Sequence, residues 1–378
     1  MPGDTYLIDD GSPRQRRRRP SLTADSIERL PMNTIAGPRV SVVIPVYNGE
    51  RLIGNAVRSV LAQSYTNWDL TIGDNCSTDR TVEVAEEFAS RDPRIRVCTY
   101  PTHVSVIDSH STAFTLISDE AKYCKILGAD DWYFPNCLEE MVKVAEANPT
   151  VGMVASYVLA GSRVNGLALP YPSHCVSGRE IVRLRLLKGL KGIGGPSTTM
   201  IRADIARKKA PFYNPLNYAG DIEAYLDLLR DYDLGFVHQV LTYMRTDEES
   251  KTTSYLARVN SYDAADVDEV TKFGPSFLTD QEFKARLKEV TRDYYRMLGR
   301  SVVPLQNREF WDFHLRHFKA MGYPLSYTRI GFNVVLRVLD LIGNPKRTIE
   351  NVIRRISEKR GTMSRPTVAA ESVSPARE

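Results

Sequence analysis

Two adjacent carboxylates, Asp130 and Asp131, follow an apolar run and a glycine in "KILGADDWYF" (125–134). Side-by-side negative charges repel, so the pair needs a cation or hydrogen-bond donors against it. A divalent cation takes oxygen ligands, and one or two carboxylates with a diphosphate complete its octahedral shell. An isolated Asp-Asp pair more often caps a helix, where the dipole favours it. Two earlier segments gather polar residues in the same way. "VIPVYNGE" ends in Pro45, Tyr47, Asn48, Gly49 and Glu50, and "GDNCSTD" supplies Asp74 and Asp79. Acids grouped like this suit a ligand that brings a cation, base N–H groups or ribose hydroxyls.

The elements that must position these groups are legible. "VSVVIPVY" (40–47) is almost wholly apolar, as a strand buried on both faces is. Further strands are expected at 68–74, 94–100, 123–130 and 151–158, with helices at 49–64, 77–92 and 134–149 and a helical stretch before 123. This alternation predicts an α/β fold with a mostly parallel, Rossmann-like sheet flanked by helices. Ligands of such sheets bind beyond the carboxyl ends of the strands, where the three polar segments fall. Order loosens over 159–195, with a small hairpin at 162–166 and a glycine-rich loop over 188–196. A strand and helix at 197–205, a helix at 221–231 and a strand at 235–244 follow. Helices are then expected at 279–299, 306–320, 326–342 and 345–360. The domain reading is a basic arm (1–37), an α/β domain (38–257), a helical C-terminal region (258–360) and a polar tail (361–378).

The chain has 378 residues, 42% hydrophobic content and a net charge of +4. That supports a globular core and argues against nucleic acid as partner. No apolar run reaches the length of a transmembrane helix and no secretory signal is visible. Five cysteines without a C-x-x-C spacing read as free thiols in a reducing compartment. A cytoplasmic protein is expected, peripheral on the inner face of the membrane if its basic segments adhere there.

"SVVIPVYNGE", "GDNCSTDRT" and "ILGADDW", in that order, resemble the inverting family 2 glycosyltransferases of the GT-A fold. The resemblance covers about residues 39–250. It implies that Pro45 and Tyr47 line a nucleobase pocket, with Glu50 beside them, that Asp74 accepts from the base, and that Asp79 closes the same loop. It puts Asp130 near ribose and metal, and makes Asp131 the acid that reaches Mg²⁺ or Mn²⁺. Gly128 stands where a further aspartate is common, so the diphosphate would hold much of the metal. "YAGDIEAYLDLL" resembles the family's acidic helix start, with Gly220 in place of glutamate. Asp221 is the matching general base, or an N-cap of that helix, and Glu223 is the fallback. In "YMRTDEES", Arg245 matches a diphosphate-pairing arginine, and Asp247 occupies a metal-completing position. Ser197, Thr198 and Thr199 are candidate sugar contacts, and loop 189–195 a candidate flap.

The implied reaction moves a sugar from a nucleotide diphospho-sugar, a UDP-sugar by preference, to a saccharide or lipid-linked saccharide in surface polysaccharide or glycolipid assembly. The alternatives are a sugar-phosphate nucleotidyltransferase and a catalytically silent scaffold. Against the first, "PVYNGERL" lacks the Gly-rich basic signature after the first strand. The segment 345–360 carries an apolar stripe (Ile349, Val352, Ile353, Ile356) among Lys346, Arg347, Arg354, Arg355, Lys359 and Arg360. That pattern suits an anionic membrane surface, or a helix packed on the body with its charges in water.

Overall fold

The computed structural model describes residues 37–343, apart from 167–168, 170, 216, 218, 247–257, 303–305 and 323. The arginine-rich arm, Asp247 and the basic segment 345–360 lie outside the described residues.

The first half alternates strands and helices as expected: β1 (Val40–Val46), α1 (Ile53–Leu61), β2 (Trp68–Asp74), α2 (Thr81–Ala89), β3 (Ile95–Thr99), α3 (Val106–Ala113) and β4 (Tyr123–Ile126). All seven residues of β1 are buried, which is why its sequence is nearly continuous in Val and Ile. Alternate side chains enter opposite cores. Val42 and Ile44 pack with α1 and the later helix α4 (Cys137–Ala147), whereas Val43 packs with α3 and helices from the second half. Each such valine or isoleucine stabilises the fold by roughly 1.5–3 kcal/mol.

The second half supplies β5 (Trp132–Tyr133), β6 (Val151–Ala160), β7 (Arg163–Asn165), β8 (Cys175–Val176), α5 (Gly178–Lys188), β9 (Thr199–Arg202), α6 (Ala203–Arg207), α7 (Gly220–Leu228) and β10 (Asp233–Met244). The sheet order is β3-β2-β1-β4-β9-β6-β10-β5, with β7 on β6 and β8 on β10. The first four strands are parallel throughout, and β6 is parallel to β10. β9 runs antiparallel to both neighbours and joins the halves.

The chain moves outward from β1 to β3, then crosses back to β4 on the other side of β1. A crevice opens at that switch point. β1 pairs with β2 up to Val46↔Asp74 but with β4 only up to Val43↔Ile126. Pro45, which has no N–H, lies just past the last β1–β4 pair, where the strands part.

Four helices follow: α8 (Tyr262–Phe277), α9 (Asp280–Val302), α10 (Arg308–Ala320) and α11 (Tyr327–Gly343). Phe273, Tyr294, Leu298 and Phe310 belong to the same hydrophobic cluster as Val43 and Met153 of the sheet. Along α11, Phe332, Val335, Leu336, Leu339 and Ile342 stay exposed at helical spacing, from 47% to 70%. Among the described residues, no helix is long and apolar enough to cross a membrane.

Candidate active site

The loops after β1 and β2 are stitched into one unit. Asn48 N–H donates to Ser77 Oγ (2.9 Å), Thr78 N–H to Asn48 Oδ1 (2.8 Å) and Gly49 N–H to Thr81 Oγ1 (2.8 Å). Glu50 and Asp79 form a reciprocal clasp: Glu50 N–H donates to Asp79 Oδ2, and Arg80 N–H donates to Glu50 Oε2, both at 3.1 Å. Asp79 also accepts from the N–H and hydroxyl of Thr81. Burial pushes the Asp79 carboxyl up, but these hydrogen bonds outweigh it and hold it below the usual range. Both acids are therefore engaged as loop braces. Asn48 and Cys76 sit at φ +50° and +60°, a left-handed conformation that costs roughly 1–3 kcal/mol at each. Cys76 does more than fill space, since its thiol donates to Tyr100 O at 3.2 Å.

This unit presents Tyr47, 46% exposed, with its ring 4.4 Å from that of His103. His103 Nδ1 lies 3.0 Å from Asn75 O. Asp74 is buried beneath and accepts the Ser77 N–H. Tyr47, Asp74 and His103 are thus all carried by the braced loops at the ends of β1, β2 and β3. Pro45 is buried in β1 opposite Gly73. His103 was not foreseen, because it comes from the loop after β3.

The carboxylate pair sits at the crevice. Asp131 is 6% exposed; Ser197 Oγ donates to its Oδ2 at 2.5 Å and Arg245 N–H donates to its Oδ1 at 3.1 Å. Burial, reinforced by the Asp130 charge, pushes its pKa up to about 7. Gly128 explains itself here. A Cβ at 128 would lie 3.0 Å from Asp131 Oδ2 and 3.3 Å from both Asp130 Oδ1 and Ser197 Oγ. Any side chain there would crowd the acids. His110 of α3 faces the same group; burial lowers its pKa, while the Asp130 charge raises it.

Ser197 opens a turn with a second use. Gly195 and Asp221 lie together, with a Cβ at 195 falling 3.9 Å from Asp221 Oδ2. Asp131 and Asp221 therefore flank the three residues 195–197. Asp221 stands in the first turn of α7, and burial raises its pKa above the usual carboxylate range. Backbone N–H groups and Arg185 act the other way. Gly220 admits no glutamate, since a Cβ there would sit 2.8 Å from both Asn214 O and Ile107 Cδ1. The fallback base is otherwise engaged: Glu223 accepts from Lys272 Nζ, Asn217 Nδ2 and Asn214 Nδ2, and these bonds hold its carboxyl low against its burial.

Ser197, Thr198 and Thr199 are all buried, and their hydroxyls bond within the protein. They brace the turn, so the expected sugar contacts are not made through them in this arrangement. Loop 189–195 is tethered as well: Ile193 is fully buried, Lys191 pairs with Asp266, and Leu190 O accepts from Arg185. Arg185, 5% exposed side chain and all, makes a two-pronged pair with Glu269 of α8. The side chain of Arg245 lines a cavity of about 510 Å³ beside Trp132 and Tyr243, whose rings stack at 3.9 Å.

Among the described residues, no group of three or more His, Cys, Asp or Glu is arranged to hold a metal ion. The pair nevertheless fits a cation that arrives with a diphosphate. Asp131 is a buried acid beside a second carboxylate, with acceptor capacity left on both oxygens.

Residues 41–208 match the family model "Glycosyl transferase family 2". The chain is 25% identical over 229 residues to an uncharacterized glycosyltransferase of Rickettsia typhi, covering 60% of this chain and 70% of that one. It is 27% identical over 199 residues to the Escherichia coli UDP-Glc:alpha-D-GlcNAc-diphosphoundecaprenol beta-1,3-glucosyltransferase WfgD, covering 53% and 73%. Among solved structures it is similar to Staphylococcus aureus TarS 1–349 in complex with UDP-GlcNAc, at a TM-score of 0.56 and 15% identity over 84% of this chain and 92% of that one. The chain carries a glycosyl transferase family 2 domain and has the GT-A fold.

Proposed function

We propose that this glycosyltransferase moves a sugar from a UDP-sugar to a hydroxyl of a saccharide or lipid-linked saccharide acceptor, with inversion. The observation that supports the reading is that Asp131 and Asp221 both reach the turn 195–197, one at Ser197 and the other beside Gly195. Asp131 with Asp130 faces the crevice beyond β1 and β4, while Asp221 approaches the same turn from α7. In this reading the two acids act on opposite faces of the sugar, because in inversion the hydroxyl attacks from the face opposite the leaving nucleotide.

In this reading Tyr47 and His103 bracket the base and Asp74 anchors the loop that receives it. Asp130 and Asp131 would hold Mg²⁺ or Mn²⁺, which when bound offsets the charge developing on the leaving diphosphate. Arg245 lies next to that position and pairs with phosphate oxygens through its planar fork. Asp221 takes the proton of the attacking hydroxyl; its raised pKa makes it a better base than an ordinary carboxylate. The name of the Escherichia coli relative, which specifies UDP-Glc and a diphosphoundecaprenol-linked acceptor, supports a UDP-sugar and a lipid-linked acceptor. A cytoplasmic enzyme at the inner membrane face fits such an acceptor, with 345–360 as adhesive segment.

A thermal-shift panel of UDP, GDP, CDP, ADP and NAD, each with Mn²⁺ and with EDTA, tests the donor class. Stabilisation by UDP that vanishes in EDTA is expected, and a response to NAD alone would overturn the reading. Deleting 345–378 is expected to weaken association with anionic liposomes while sparing nucleotide binding; unchanged association would remove the membrane role.

A further inference from the structure

Lys125 lies in the middle of β4 with no solvent exposure, and no other described lysine is buried. An ammonium in a core is unfavourable unless its N–H groups find acceptors. Lys125 Nζ donates to Ser197 O at 2.9 Å and to Thr199 O at 3.4 Å, and it lies 4.7 Å from the centre of the Tyr133 ring. Thr242 Oγ1 of β10 donates to the same Ser197 carbonyl at 3.1 Å. Ser197 is thus gripped twice by its carbonyl from inside the core. On its other side its hydroxyl accepts the Gly128 N–H at 2.9 Å and donates to Asp131. A continuous path therefore runs from the Lys125 ammonium through one residue to the acid at the crevice.

A core without a functional demand would place an apolar residue at this point. A buried charged group replaced together with its partners by well-packed apolar side chains is often neutral or stabilising. A stable core at this point therefore does not require a lysine, and its bonds lead to the site above it. We infer that Lys125 is a positioning residue for the donor site: it fixes Ser197 from within the core, so that the Ser197 hydroxyl holds Asp131 toward the cation and diphosphate of the donor. This rests on the reading of Asp131 given under the proposed function. Burial lowers the pKa of Lys125 to about 8, and the charge it carries below that favours the ionised form of buried Asp131.

Lys125→Met tests the inference, with binding of UDP in Mn²⁺ and in EDTA measured by calorimetry and the unliganded melting temperature measured in parallel. Loss of a charge-assisted hydrogen bond corresponds to about tenfold or more in affinity. The expected result is that loss of affinity in Mn²⁺, with the unliganded melting curve showing that the variant is folded at the temperature of the titration. Ser197→Ala should give a similar loss, and the double variant should be no weaker than either single one, because both act on one path. Wild-type affinity in Lys125→Met, or additive losses in the double variant, would overturn the inference. If Lys125→Met does not fold, Thr242→Val removes the other hydrogen bond to the same carbonyl. It should lower affinity in Mn²⁺ by a smaller factor, and no change there counts against the path. If wild type itself binds no nucleoside diphosphate in Mn²⁺, the reading of Asp131 fails and the inference falls with it. A wild type that binds beside an unaffected variant refutes only the role of Lys125.

Discussion

Ser197 Oγ lies 2.5 Å from Asp131 Oδ2 while accepting the N–H of Gly128 at 2.9 Å. One hydroxyl thereby joins the turn after β4 to the turn before β9. The acid it holds is buried, and burial pushes its pKa up to about 7. The folded state then keeps a proton that the unfolded chain, with a carboxylate near 3.9, has released. Stability contributed by this group is present below about pH 4 and is lost as pH rises toward 7, a change of up to about 4 kcal/mol. Asp131→Asn removes that loss. In EDTA its melting temperature should therefore rise relative to wild type between pH 5 and 8, while UDP with Mn²⁺ no longer stabilises it. Parallel melting curves at all pH values would contradict the assignment.

Asp221 and Glu223 share a helix start yet face different duties. Asp221→Asn is expected to leave UDP binding within about twofold and to lower turnover by about 10²–10⁴, the usual contribution of a general base. Glu223→Gln disturbs the contacts to Lys272, Asn214 and Asn217 and should cost stability with turnover largely kept. Steady-state transfer and nucleotide binding measured side by side decide this. The wild-type rate should also fall on acidification at a pH above the ordinary carboxylate range, because burial raises the pKa of Asp221.

Arg185→Met leaves Glu269 buried without its guanidinium partner. Truncating one member of a buried ion pair costs about 3–5 kcal/mol. Denaturant unfolding should report a loss of that order. The double variant Arg185→Met/Glu269→Leu should recover most of it, since the pair lies between α5 and α8 in the core.

His314 is fully buried, with Nε2 2.9 Å from Val259 O and Nδ1 2.7 Å from the Tyr294 hydroxyl. Burial pushes its pKa down to about 4. Here the folded state binds fewer protons than the unfolded chain, so stability falls as pH drops from about 6.5 toward 4. The loss should be about 2 kcal/mol by pH 5. This sign is opposite to that of Asp131. Unfolding followed through Trp311, one helical turn away on α10, should show an acid-sensitive component that His314→Gln lacks.

The first half of the fold was legible because β1, β2 and β4 are almost wholly buried. Their sequences are mostly apolar runs followed by polar residues, and the crevice lies where those runs end. α5 was missed because "GREIVRLRLLK" interleaves arginines with its apolar positions, and one of them, Arg185, turns inward. β5 and β8 have two residues each, too few for any periodicity. Asp79 closes its loop as the resemblance implied, but the reciprocal hold between Asp79 and Glu50 was not legible, since residue type does not show which neighbouring N–H groups an acid receives. Lys125 was hidden in plain view within an apolar run, because the carbonyl it holds is 72 residues away.

The bond between the turn after β4 and the residue that follows β10 has a consequence for synthesis. Arg245, whose N–H completes the hold on Asp131, follows it by 114 residues. At 5–20 residues per second the ribosome needs roughly 6–23 s to cover that distance. During that interval the loops after β1 and β2 already have their hydrogen-bond partners, all of which precede Asp131, while Asp131 still lacks the Ser197 hydroxyl and the Arg245 N–H. The two parts of the crevice are thus completed at different times, the loops early and the acid only once β10 has been made.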